Sequence, residues 1–109
     1  NTCFMPFTML YVTCPDELVA KELAIFLLMQ RCVACANIFP IESLYWWQGN
    51  VEQGGEIVLM LKTRTAYQAI VERHILEKHP YTTPCIVHWQ VAANAAYEAW
   101  IHAETEPML

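Results

Sequence analysis

The sequence predicts an α+β fold: an antiparallel sheet made by two βαβ units, with a long central β-hairpin and an extra C-terminal helix. Three observations predict it. Residues 33–64 hold two arms rich in Val, Ile, Tyr, Trp and Leu around a polar middle, Gln48-Gly49-Asn50 and Gln53-Gly54-Gly55, where all three glycines of the chain sit. Apolar β-formers joined by Gly and Asn are hairpin chemistry. On both sides of this stretch, apolar residues recur at helical spacing. With 109 residues, the chain reads as one domain, 1–109, long enough for its own core.

Residues 7–13, Phe-Thr-Met-Leu-Tyr-Val-Thr, are β-prone and apolar enough for a central strand. Thr13-Cys14-Pro15-Asp16-Glu17 then carries a helix start: Thr13 as cap, Pro15 in the first turn, and acids near the positive end of the helix dipole. Val19, Leu23 and Phe26, with Ala20, Ala24 and Leu27, fall in adjacent rows and give one broad apolar face on a helix of about 16 residues. It should end near Gln30-Arg31. Ile25 and Met29 lie off that face.

The second strand begins at Val33. Pro40 lacks a donor, which favours an edge position, a bend or a bulge, and the strand resumes through Ser43-Leu44-Tyr45-Trp46-Trp47. The third strand, 56–63, is apolar on both faces, since Ile57, Leu59 and Leu61 alternate with Val58 and Met60. A second helix follows from Thr65, with Tyr67, Ile70, Val71, His74 and Ile75 on one side. Pro80 stops it and pushes His79 out of helical geometry. Pro84 opens a fourth strand, 85–91, and Asn94 caps a last helix with Tyr97, Trp100 and Ile101 on one side.

The order βαβ-βαβ-α gives the split βαβ, ferredoxin-like plait, with helices on one face of the sheet. The other face is left open, which fits the two-faced arms. A homo-oligomer that closes sheet on sheet is the simplest cover.

Composition agrees. The chain is 56% hydrophobic and 16% charged, against averages of roughly 45–50% apolar and about 25% charged. The longest wholly apolar run, 24–29, falls far short of the roughly 18 residues of a membrane span, so no membrane partner is expected. No Lys/Arg-led segment precedes the apolar N-terminus, so no signal peptide is expected either. Net charge is −5 with no basic cluster, which argues against nucleic acid. Five cysteines, at spacings that suit no disulfide framework, read as reduced thiols in a cytoplasmic compartment.

Several side chains could carry chemistry. Cys32-Val33-Ala34-Cys35 is a C-x-x-C without a second pair; along a strand its thiols would diverge, so packed small residues are the expected reading. His79, Cys14 and Cys85 are the better soft-ligand candidates, because the loops that hold them approach one end of the sheet. Imidazole and thiolate together would suit copper or zinc; the alternative is a His that caps a helix and two packed thiols. His74 reads as a core-edge residue. Tyr45, Trp46, Trp47, Trp89 and Trp100 read as packing or interface groups. For an enzyme, the best case is Cys14 as a thiolate at a helix N-terminus with His79 as base. With no G-x-S-x-G, Walker loop or recognisable acid pair, a non-enzymatic protein is expected.

Taken in order, these segments resemble the CutA divalent-cation tolerance family. The matching residues are Thr13-Cys14-Pro15-Asp16-Glu17 with Ala20; Cys35-Ala36-Asn37-Ile38 with Pro40; Ser43-Leu44-Tyr45-Trp46-Trp47-Gln48-Gly49; Glu56 with Leu59 and Lys62-Thr63; His79-Pro80-Tyr81 with Pro84; and Tyr97 with Trp100-Ile101. The resemblance implies a cytoplasmic homotrimer of ferredoxin-like subunits with a role in tolerance of copper and other divalent ions. It also looks like PII signalling proteins, which implies a second reading: a trimeric scaffold or sensor binding a small anionic ligand between subunits. Tyr45, Trp47, Lys62, His79 and Tyr81 match positions around that cleft. Where the family usually carries Glu, after His-Pro-Tyr and after the following Pro, this chain has Thr82 and Cys85. That exchange moves preference from hard ions toward soft ones such as copper.

Overall fold

The computed structural model describes residues 5–107. In chain order it contains β1 (Phe7–Cys14), α1 (Glu17–Met29), β2 (Cys35–Trp47), β3 (Asn50–Thr63), a 3-10 turn (Thr65–Tyr67), α2 (Gln68–Lys78), β4 (Ile86–Val91) and α3 (Ala95–Glu104). The fold is α+β, with one four-stranded sheet in the order β2-β3-β1-β4. Every neighbouring pair is antiparallel. β2 is therefore an edge strand, which is where a proline belongs. Pro40 pairs opposite Ile57 in an unbroken register, without a bulge.

The first helix starts later than Thr13. That residue stays in the β1 ladder opposite Val58, and Asp16 caps instead, its Oδ1 accepting the Val19 N–H at 2.9 Å. The helix is 13 residues long, because the sheet claims Thr13 and Cys14. In α3, Asn94 does occupy the cap position, but its side chain makes no capping bond. The buried carboxylate of Glu98 takes the Ala93 N–H at 2.9 Å and the Met5 N–H at 3.1 Å.

The hairpin turn is shorter than expected. Gln48 and Gly49, at φ 50° and 82°, form the turn and Trp47 pairs with Asn50. Positive φ at both turn positions matches the right-handed twist of the arms. Gln53-Gly54-Gly55 is not loop; it lies in β3 opposite Leu44, Ser43 and Glu42. β1 pairs β3 only as far as Ile57, so residues 41–56 project from the sheet as a two-stranded ribbon. The molecule is accordingly elongated, 53 × 28 × 20 Å.

Alternation along the strands defines two faces. Leu10, Val12 and Cys14 of β1 and Leu59 and Leu61 of β3 share the core with Ala20, Leu23, Ala24 and Leu27 of α1 and Val71 and Ile75 of α2. Phe7, Met9, Tyr11 and Thr13 point the other way, with Val58, Met60 and Lys62. Val58 is fully buried there yet stands outside the α1/α2 core. α3 reaches this second face, correcting the expectation of helices on one side only. Tyr97 packs edge-on to Phe7 at 6.0 Å and its hydroxyl lies 3.1 Å from Lys62 Nζ. α3 covers one end; Phe39, Val87 and Trp89 remain exposed. Among the described residues no helix is long and apolar enough to cross a membrane.

Candidate functional site

On the second face, the ribbon and the loop that follows α2 enclose an open groove of about 860 Å³. The loop is positioned by sequence. Pro80 forces His79 out of α2 into extended geometry, at φ −74° and ψ 136°, while the His79 N–H still bonds to the Ile75 carbonyl at 2.8 Å. Pro80 and Tyr81 then fall on the groove, and the Tyr81 phenol donates to Glu56 Oε2 at 2.7 Å.

His79 is buried and both of its ring nitrogens are occupied. Nδ1 accepts the Tyr81 N–H at 3.1 Å, and Nε2 lies 2.8 Å from the Thr13 carbonyl oxygen. A backbone N–H only donates and a carbonyl only accepts, so the ring is the neutral tautomer with its proton on Nε2. No lone pair remains for a metal in this arrangement.

Cys14 is fully buried on the α1 side of the sheet. Burial, with the charges of Asp16 and Glu56, pushes its thiol pKa up to about 11. That is the reverse of an activated thiolate, and the His79 proton goes to Thr13 rather than to Cys14. Cys85 is exposed and borders the groove. The three sequence candidates are thus not one ligand set, because burial and prior hydrogen bonds take two of them away. Among the described residues no cluster of three His, Cys, Asp or Glu groups is placed to hold a metal ion.

Of the C-x-x-C only Cys35 lies in a strand; both thiols are free, with Cys32 Sγ 3.8 Å from the Gln30 carbonyl and Cys35 Sγ 3.6 Å from Asn37 Oδ1. His74 sits half-buried beside Phe26, ring to ring at 5.2 Å.

Of the cleft residues, Tyr45, Trp47 and Tyr81 do line the groove. Lys62 does not: its register opposite Met9 and Cys35 sets it at the α3 end of the sheet, against the Tyr97 hydroxyl. Glu56 was the residue that sequence reasoning left without a role. The signal was the hairpin register, which sets Glu56 opposite Ile41 on the face that carries Tyr45 and Trp47. Burial, then the hydrogen bond and charge of Glu56, hold the Tyr81 phenol pKa well above the ordinary tyrosine value. Among the described residues the charged ones bordering the groove are Glu42 and Glu56; the register turns Glu42, opposite Gly55, to the other face of the ribbon, so Glu56 is the carboxylate that faces Tyr45 and Trp47.

A family model described as CutA1 divalent ion tolerance protein matches residues 8–104. The mouse Protein CutA is 36% identical over 98 residues, covering 88% of this chain and 55% of the mouse protein. The chain thus spans little more than half the length of that relative. The solved structure of the periplasmic divalent cation tolerance protein CutA from Archaeoglobus fulgidus has a TM-score of 0.89 at 35% identity, over 92% of this chain and 99% of that one. The PII-like protein CutA from a Nostoc species, in apo form, has a TM-score of 0.83 at 30% identity, over 91% and 97%. Likeness of this extent runs from β1 to α3, and the chain belongs to the CutA1 divalent ion tolerance protein family.

Proposed function

We propose that this chain works as a homotrimeric divalent-cation tolerance protein that binds divalent metal, copper foremost, and catalyses no reaction. The observation that carries the assembly is the half-covered second face of the sheet. Phe39, Val87 and Trp89 are exposed beside buried Val58, and the ribbon shows Leu44, Trp46 and Val51 to solvent. A two-stranded ribbon is marginal alone, and large apolar side chains exposed on both of its faces call for a partner. The strand order β2-β3-β1-β4 fits a ferredoxin-like plait, and three copies packed through their open faces and ribbons would cover the exposed surface. Free thiols at Cys14, Cys32, Cys35 and Cys85 fit a reducing, cytoplasmic setting.

For the ion, the best-placed ligand of this chain is Cys85: soft, exposed and on the groove. His79 and Cys14 serve the fold instead. Calorimetric titration of Zn(II) and Cu(II) into wild type, Cys85→Ser and His79→Ala tests this. Saturable heat should be lost in Cys85→Ser and kept in His79→Ala; negligible heats in all three would sink the ion reading.

The PII-like neighbour supports the second reading, a small-ligand sensor. An anionic ligand would, however, need a cation at the groove, and Lys62 stands elsewhere in this chain.

A further inference from the structure

At the end of the sheet opposite the ribbon, α1 closes on a Schellman motif. The Arg31 N–H bonds to the Leu28 carbonyl and the Cys32 N–H to the Leu27 carbonyl, each at 3.0 Å. Arg31 takes the left-handed position of that motif, at φ 58°, where glycine is the favoured residue. Its side chain has a task there that glycine lacks. The guanidinium reaches α3, 73 residues away in sequence, and donates to Glu104 Oε2 at 2.7 Å and to the Glu104 carbonyl at 3.4 Å. Arg64 holds the same end, donating to the Thr105 hydroxyl at 3.0 Å and to the His102 carbonyl.

Beneath this end lies a gap of about 380 Å³, bordered by Met29, Cys32, Tyr67 and Ile70 and, on the α3 side, by Glu106 and Pro107. The last fully buried apolar residue of α3 is Ile101. Beyond it the chain is held chiefly by polar bonds, and the Arg31–Glu104 pair is nearly half exposed on both sides, 46% and 42%. Such a pair is weakened by salt. We propose that residues 102–107 form a strap that swings open while the rest of the fold stays intact, with Arg31–Glu104 as its latch and Cys32 as the thiol it uncovers. Local opening of this kind belongs to segments with few buried apolar contacts. The residues under the strap belong to α1, its C-terminal turn, the 3-10 turn and α2, on the helix side of the sheet. They lie away from the face and ribbon that copies of the chain would cover.

The test is iodoacetamide labelling of the full chain at neutral pH, with Cys32 and Cys14 each followed by peptide mass spectrometry. Cys14 is fully buried and reports global unfolding alone. In wild type Cys32 should label more slowly than in the urea-unfolded chain. In Glu104→Gln it should label about threefold to fivefold faster than in wild type, with the Cys14 rate unchanged. Wild type in about 1 M sodium chloride should show the same split. Arg31→Gly separates the latch from backbone strain, because glycine suits the positive φ while the guanidinium is lost; Cys32 should again label faster and Cys14 should not. Unchanged Cys32 labelling in either variant, or Cys32 and Cys14 accelerating together, would overturn the proposal. The proposal is independent of the metal reading, which calorimetry on Cys85→Ser decides separately.

Discussion

Tyr81 and Glu56, 25 residues apart in sequence, meet at 2.7 Å, phenol to carboxylate. The bond ties the loop after α2 to the base of the ribbon. Tyr81→Phe removes it without opening a cavity. The pair is partly exposed, so the expected loss is about 1 kcal/mol, read as a lower urea midpoint at fixed protein concentration. Ultraviolet titration should show Tyr81 ionising well above the ordinary tyrosine value in wild type, and that late phase absent in the variant.

His79 bridges Thr13 and Tyr81 through its two ring nitrogens. His79→Ala leaves a part-buried carbonyl and amide without their partner, a cost of about 1 kcal/mol. Chemical denaturation should report that loss. A His79→Ala variant with native stability would show that the ring does not hold the loop.

Cys14 predicts an alkaline limit. In the fold its thiol stays protonated up to about pH 11, whereas its ordinary value is 9.0. Above pH 9 the unfolded chain releases this proton and the folded chain retains it, so stability falls as pH rises through that window. Urea midpoints at pH 8 and 10.5 should differ more in wild type than in Cys14→Ala. Iodoacetamide at neutral pH should label Cys85 promptly and Cys14 only on unfolding.

Asp16→Ala should cost about 1 kcal/mol, by loss of the cap on the Val19 N–H. Thr13→Val, by contrast, should leave the helix start intact, since Thr13 belongs to β1. Circular dichroism melts of the two variants separate these cases.

The cap shows where sequence reasoning stopped. Thr13 was the expected cap, and Asp16 caps instead because the pairing of Thr13 with Val58 holds Thr13 in β1, a tertiary fact. Element order, the hairpin and the Pro80 break were legible, because each follows from local chemistry; Pro40 left an edge, a bend or a bulge open, and the fold puts it on the edge strand β2. Gly54 and Gly55 were misread as loop for a related reason: glycine signals a turn, but the Gln48-Gly49 turn had already fixed the register that places them in a strand. Tyr45, Trp47 and Tyr81 border the groove, while Lys62 went to Tyr97, since α3 folds back onto the second face and nothing in the local pattern announces that. Glu56 was overlooked because a lone acid at a strand start carries no motif.

On the proposed assembly, the second face of the sheet is an interface between copies of this chain. Sedimentation equilibrium of wild type and of a Phe39→Glu, Val87→Lys double variant tests it directly. Wild type should sediment at three times the 12.6 kDa chain mass and the variant as a folded monomer. A wild-type chain that is monomeric and stable, with Phe39, Val87 and Trp89 in water, would contradict the claim.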